Sequence, residues 1–123
     1  MSNAKEIGTK LAELCRQGKG MEAIKTFYAD DVVSVESVAM GDGGREVAGK
    51  QAVIGKSTWW EENHEVHSAE VSGPFPHGED KFALRFNIDV TNKPSGNRIT
   101  MDEIGVYEVA GGKVVREEFF YEV

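Results

Sequence analysis

The sequence is poor in cysteine: Cys15 is the single one in 123 residues. That excludes an internal disulfide and a zinc site built from thiolates. Basic residues are also short, with 14 Lys and Arg against 21 Asp and Glu and a formal charge of −7. A chain of this balance lacks the basic footprint that nucleic acid or an anionic membrane surface requires, so neither is expected as a partner. No apolar run approaches the roughly 20 residues of a membrane-spanning helix. The opening MSNAKEIGTK has no apolar stretch of the kind a secretory leader carries, and a cytoplasmic location is expected. His-x-His and HExxH spacings are missing as well, so no metal is expected. The Gly41-Asp42-Gly43-Gly44 stretch lacks the helix and lysine that would make it a phosphate loop, and reads as a turn.

What is present sorts into helices first and strands after. Asn3 and Glu6 have capping-box spacing, and Ile7, Leu11, Leu14 and Cys15 follow at helical intervals, with Cys15 as a buried small hydrophobe. Gly18 and Gly20 interrupt. Met21, Ile24, Phe27 and Tyr28 then share a face of a second short helix that Asp30 and Asp31 are expected to end. The β-branched run from Val32 to Val38 predicts a strand, and Arg45 to Ala48 its short return. A third helix runs from Gly49 through Val53, Ile54, Ser57 and Trp60 to about Asn63.

From His64 the period becomes two. Long strands are predicted over Glu65–Phe75, Phe82–Val90, Ile99–Val109 and Lys113–Val123. Phe82, Leu84, Phe86 and Ile88 should face the helices and Arg85 should face away, because a one-residue slip would exchange every side chain between faces. Helices segregated before a meander mean α+β: a single domain over residues 1–123, with three N-terminal helices packed on a strongly curved antiparallel sheet.

Several short stretches together resemble one superfamily. They are Glu22-Ala23-Ile24, Tyr28-Ala29-Asp30-Asp31-Val32, Gly49-Lys50, Gly105-Val106-Tyr107 and Gly112-Lys113-Val114. The chain resembles the NTF2-like superfamily, the cone-shaped fold of ketosteroid isomerases and SnoaL-like polyketide cyclases, and within it the SnoaL-like branch. In ungapped register from Tyr28, the resemblance puts the isomerase's general base on Glu36. Its oxyanion-hole tyrosine falls on Leu11 or Ala12, and its protonated aspartic acid on Gly105. The late-strand aspartate of limonene epoxide hydrolase falls on Phe119. Neither constellation is therefore carried whole.

In the family's register Met101, Glu103, Gly105 and Tyr107 share one strand face, and Glu117, Phe119 and Tyr121 the matching face of the last strand. If those faces are concave, the pocket holds Glu36, Glu103, Glu117 and Tyr107, with Tyr28, Trp59, Trp60 and His67 also lining it. With the register one residue off, Glu103 and Glu117 go to the convex face. Gly105 would leave room for ligand between Glu103 and Tyr107. Several carboxylates in an apolar cavity cannot all ionise without a cation, so one keeps a proton or a cation joins them.

These features predict a small-molecule enzyme carrying out proton transfer next to a carbonyl, without a cofactor. Glu36 would be the base and Glu103 or Tyr107 the donor. The alternative is a non-catalytic binding protein for a small hydrophobic molecule. Burial beside Glu103 would raise the pKa of Glu36, and Glu36→Gln would then keep or raise stability near neutral pH. The outward residues Ile104, Val106 and Phe120 predict a homodimer through the outer sheet face.

Overall fold

The computed structural model describes residues 3–39 and 43–122. The first half of the Gly41-Asp42-Gly43-Gly44 turn and the final residue of the last predicted strand lie outside them. Helix α1 (Ala4–Arg16) starts where Asn3 Oδ1 accepts the Glu6 N–H at 3.0 Å, satisfying one of the orphan amides of a helix start. It buries Ile7, Gly8, Leu11 and Ala12. Gly8 is required for close approach: a Cβ there would stand 2.9 Å from both Phe82 Cδ2 and Pro74 Cβ. Arg16 fastens the far end of α1 to the sheet, donating to Val71 O at 3.0 and 3.1 Å and to Gly73 O at 3.2 Å.

Helix α2 (Gly20–Phe27) runs directly into β1 (Tyr28–Val35), and β2 (Glu46–Ala48) returns beside it. Helix α3 (Lys50–Asn63) leads into β3 (His64–His77), β4 (Lys81–Asn92), β5 (Arg98–Ala110) and β6 (Lys113–Phe120). The six strands form one sheet in the order β2-β1-β6-β5-β4-β3. The expected α+β arrangement is present, with one correction: β1 pairs with β6 in parallel, so the sheet is mixed. The last strand inserts beside β1 running the same way, a long-range pairing that no local period announces. A second correction concerns Asp30 and Asp31. They do not end a helix but lie in β1, exposed, where the β1–β6 register shifts between Tyr28 and Val33.

Register along β4 follows the alternation. Phe82 and Leu84 are fully buried, Phe86 is buried and Ile88 packs at the margin of the core. Arg85 points outward and makes a two-pronged pair with Asp102 at 3.0 and 2.9 Å. The core joins Ile7 and Leu11 of α1 to Val32, Val53, Phe82, Leu84 and Val114. Register shifts at Val66/Ser68 and Ser72/Phe75 in β3, and where β6 passes Glu108 and Val109 of β5, mark bulges at which a strand bends.

Candidate active site

Between the helices and the concave sheet face lies a cavity of about 440 Å³. Alternation in β1 sets its floor. Val32 and Ser34 are fully buried, and Glu36, two residues further on, enters from the same side. The Glu36 backbone is held by its return partner: its N–H donates to Arg45 O at 2.9 Å, and Arg45 Nε donates to Glu36 O at 2.9 Å. Its carboxylate accepts from Lys56 Nζ at 2.5 Å and from the Tyr121 hydroxyl at 2.8 Å.

Lys56 connects the floor. It donates a second hydrogen bond to Ser34 Oγ at 2.6 Å and lies 5.4 Å from the centre of the Phe119 ring. Ser34 in turn donates to Glu117 Oε2 at 2.6 Å, and the Tyr28 hydroxyl donates to Glu117 Oε1. Tyr28, Glu117, Ser34, Lys56, Glu36 and Tyr121 thus form one continuous polar network. Glu117 is 3% exposed. Burial pushes its pKa up, while the Ser34 and Tyr28 hydroxyls and Lys56 work in the opposite direction. Burial and then Glu117 lift Tyr28 well above the usual tyrosine value. Burial, followed by the bond to Glu36, pushes Tyr121 up to about 12.

Glu103 is placed differently. It lies on β5 opposite Phe86, lines the cavity, and among the described residues makes no side-chain hydrogen bond or ion pair. Burial, then the negative charge of Glu36, raises its pKa to about 7, with Lys56 opposing and Glu117 adding. Tyr107, two pleats along, is 2% exposed. Its ring stacks on Phe82 at 4.8 Å and meets Phe119 edge-on at 6.2 Å. It lies back over Gly105, with its hydroxyl 2.9 Å from where a Gly105 Cβ would be. Burial and then Glu117 hold the Tyr107 hydroxyl protonated, well above its ordinary pKa.

Met101, Trp59, Trp60, Phe119, Tyr121 and Tyr28 also line the cavity. Trp59 is 52% exposed, while Trp60 stacks on His64 at 4.4 Å. Two sequence assignments need correction. His67 does not line the cavity; it sits at the bulge between Val66 and Ser68, is exposed, and bonds Thr91 Oγ1 at 2.7 Å. The extra residue of a bulge leaves the strand's alternation, so no period along this strand tells which way His67 points. Gly105 is buried but leaves no room for ligand, since the Tyr107 ring fills the space above it.

Sequence reasoning missed Lys56, Ser34 and His64. Lys56 was within reach, because Val53, Lys56, Ser57 and Trp60 fall at i, i+3, i+4 and i+7 of α3. His64 ends α3, with Nδ1 on the Trp60 carbonyl at 2.8 Å. The expectation for Glu36 was formed without Lys56, whose ammonium supplies the compensating cation. Among the described residues no group of three His, Cys, Asp or Glu stands close enough to hold a metal ion, and no helix is long and apolar enough to cross a membrane.

Residues 1–121 match the family model described as the SnoaL-like domain. A Mesorhizobium loti protein, named as a candidate SnoaL-like polyketide cyclase, is 46% identical with a TM-score of 0.88, over 94% of this chain and 97% of that one. A Catenulispora acidiphila protein with a ketosteroid isomerase-like fold, solved in complex with trimethylamine, is 17% identical (TM-score 0.75; 98% and 88% covered). A Burkholderia pseudomallei NTF2-like protein of unknown function is 18% identical (TM-score 0.76; 99% and 92% covered). At such identities the last two show the fold alone. No curated protein matches the chain.

The ion pair reverses the expectation for Glu36→Gln. Both partners keep only about 15% of their side-chain surface, 15% for Lys56 and 14% for Glu36, so removing either leaves a poorly solvated charge. Glu36→Gln and Lys56→Met should each destabilise the fold by about 1–3 kcal/mol. The double variant should cost clearly less than their sum. Chemical denaturation of the four proteins measures this, and additive losses would show that the two side chains do not interact.

Proposed function

The chain belongs to the SnoaL-like domain family, and on that premise we propose that it is a small-molecule enzyme of proton transfer next to a carbonyl. The reaction needs no cofactor in this reading, and Glu103 is the group that moves the proton. One observation carries it: Glu103 is the cavity carboxyl that the described residues leave without a partner, and its pKa is about 7. A general base works best when its pKa lies near the operating pH.

Glu36, the base expected from the sequence, has Lys56 on one oxygen and Tyr121 on the other. Its part is to build the floor and, through its charge, to keep Glu103 basic. Tyr107 supplies the donor. Its ring folds back over Gly105, which brings the hydroxyl within about one strand repeat, roughly 7 Å, of the Glu103 position. A carbonyl oxygen accepts from Tyr107, the Glu103 carboxylate takes a proton from a neighbouring carbon, and Glu103 returns it to the same or a conjugated carbon. Net charge is conserved throughout. Leu11, Ile24, Val53 and Phe86 of the cavity wall favour an apolar substrate body.

A second reading, a non-catalytic binding protein for a small hydrophobic molecule, is favoured by the Catenulispora acidiphila relative, which was solved in complex with trimethylamine. The two readings separate on hydrogen–deuterium exchange at the α-carbon of apolar cyclic ketones in D2O. Wild type should accelerate exchange, with a rate that rises to a plateau above about pH 7, and Glu103→Gln should lose about 10² or more of it. The loss would not reflect unfolding. A carboxyl raised in the folded state costs stability as pH climbs from its unfolded value of about 4.5 to about 7, so Glu103→Gln should be as stable as wild type or more so above that range. Exchange at the wild-type rate in Glu103→Gln would remove Glu103 from the chemistry.

The reading includes a homodimer through the outer sheet face. Ile104 and Phe120 face each other across β5 and β6 and are 36% and 50% exposed, with Phe75 at 54% further along the face. Sedimentation at micromolar concentration should give twice the 13.5 kDa chain mass, and Ile104→Lys should give the monomer. A monomeric wild type would contradict it.

A further inference from the structure

The charges of the cavity do not balance. Its lining carries three carboxyl groups, Glu36, Glu103 and Glu117, against one lysine. Lys56 is committed to Glu36 and Ser34, and Glu117 is satisfied by Tyr28 and Ser34. Glu103 lines the open volume and, among the described residues, pairs with no cation. A second observation is independent of charge. Tyr107 is 2% exposed, and among the described residues nothing hydrogen-bonds its hydroxyl, which lies over Gly105. Among the described residues no side-chain nitrogen or oxygen sealed from solvent lacks a partner, so this hydroxyl opens onto the cavity that Tyr107 lines and is free to bond a ligand there. The rings of Trp60, Phe86 and Phe119 also line this space, and aromatic rings attract organic cations.

From these we infer that the cavity binds apolar primary or secondary amines in their protonated form and discriminates against carboxylates of the same shape. One N–H of the ammonium donates to Glu103, a second donates to the Tyr107 hydroxyl oxygen, and the hydrocarbon body lies against Ile24, Val53 and Phe119. An ammonium and a carbonyl substrate cannot share Glu103, so such an amine competes with turnover. Its binding is read without any reaction, and a failure to find catalysis leaves it standing.

The pH dependence follows from the groups around Glu103. Glu36 beside the end of β1, Glu117 on β6 and Lys56 on α3 set the field it feels. Tyr28, Tyr107, Tyr121 and Cys15 of α1 all have raised pKa values and stay protonated near neutrality. His64, at the head of β3, is the remaining titratable lining residue. Binding of a cation requires Glu103 ionised and expels its proton when the carboxyl starts protonated. With Glu103 at about 7, the amine should bind about tenfold more tightly at about pH 8 than at about pH 6.

Titration calorimetry with the full chain tests this, using N-methylhexylamine, octan-2-one and octanoate as matched probes. The amine should bind, release up to about one proton per site below about pH 7, and exceed octanoate by at least about tenfold at about pH 8. In Glu103→Gln, shown to be folded by its melting curve, the pH dependence and the preference over octan-2-one should both vanish. Octanoate binding as tightly as the amine would overturn the inference, as would no amine binding at all. A pH dependence that survives in Glu103→Gln would place the proton on another group and overturn it equally.

Discussion

The Lys56–Glu36 contact organises the interior. It brings a helix residue of α3 against the chain leaving β1, and Tyr121 closes on the same carboxylate from beyond β6. Three elements distant in sequence are thereby tied at one point of the cavity floor. Without Lys56, three carboxyl groups would face an apolar space with no countercharge, and mutual repulsion and desolvation would force most of them to hold protons. With it, one carboxylate is paired, the hydrogen bonds continue through Ser34 to the Glu117 and Tyr28 pair, and Glu103 alone is left facing the open volume without a partner among the described residues.

This division gives chemically equivalent residues different parts. Glu36 and Glu117 are fixed by short hydrogen bonds and serve the fold as much as the site. Glu103 stands opposite Phe86 among apolar walls, where the field of Glu36 and the loss of water raise its pKa together. A carboxyl in that position can take or give a proton near neutrality, or pair with a cation that arrives with a ligand. The Tyr107 hydroxyl over Gly105 is the donor to a carbonyl oxygen in the proposed reaction and the acceptor of an amine N–H in the proposed binding.

Much of this was legible in the sequence because burial imposes a period. The alternation of Phe82, Leu84, Phe86 and Ile88 with Arg85 and Asn87 fixed which face of β4 is inside, and the same parity places Met101, Glu103 and Tyr107 on the cavity side. Val32 and Ser34 aimed Glu36 inward. The failures lie where the period breaks or where contacts join distant segments. His67 sits at a bulge, Asp30 and Asp31 at a register shift, and the parallel β1–β6 pairing joins strands more than eighty residues apart. Lys56 was overlooked for another reason: it lies on the inward stripe of α3 with Val53, Ser57 and Trp60, but a lysine is ordinarily taken as solvated, and its partner Glu36 is twenty residues away. Gly105 was misread because a missing side chain says nothing about which neighbour fills the gap.

The most direct measurement is the titration of the Glu103 carboxyl carbon by NMR, assigned by its disappearance in Glu103→Gln. A midpoint near 7 is expected, moving upward in Lys56→Met, where the cation that opposes the rise is gone. A midpoint at the ordinary glutamate value of about 4.3, unchanged by Lys56→Met, would mean that Glu103 is well solvated and that the cavity does not hold a poised carboxyl.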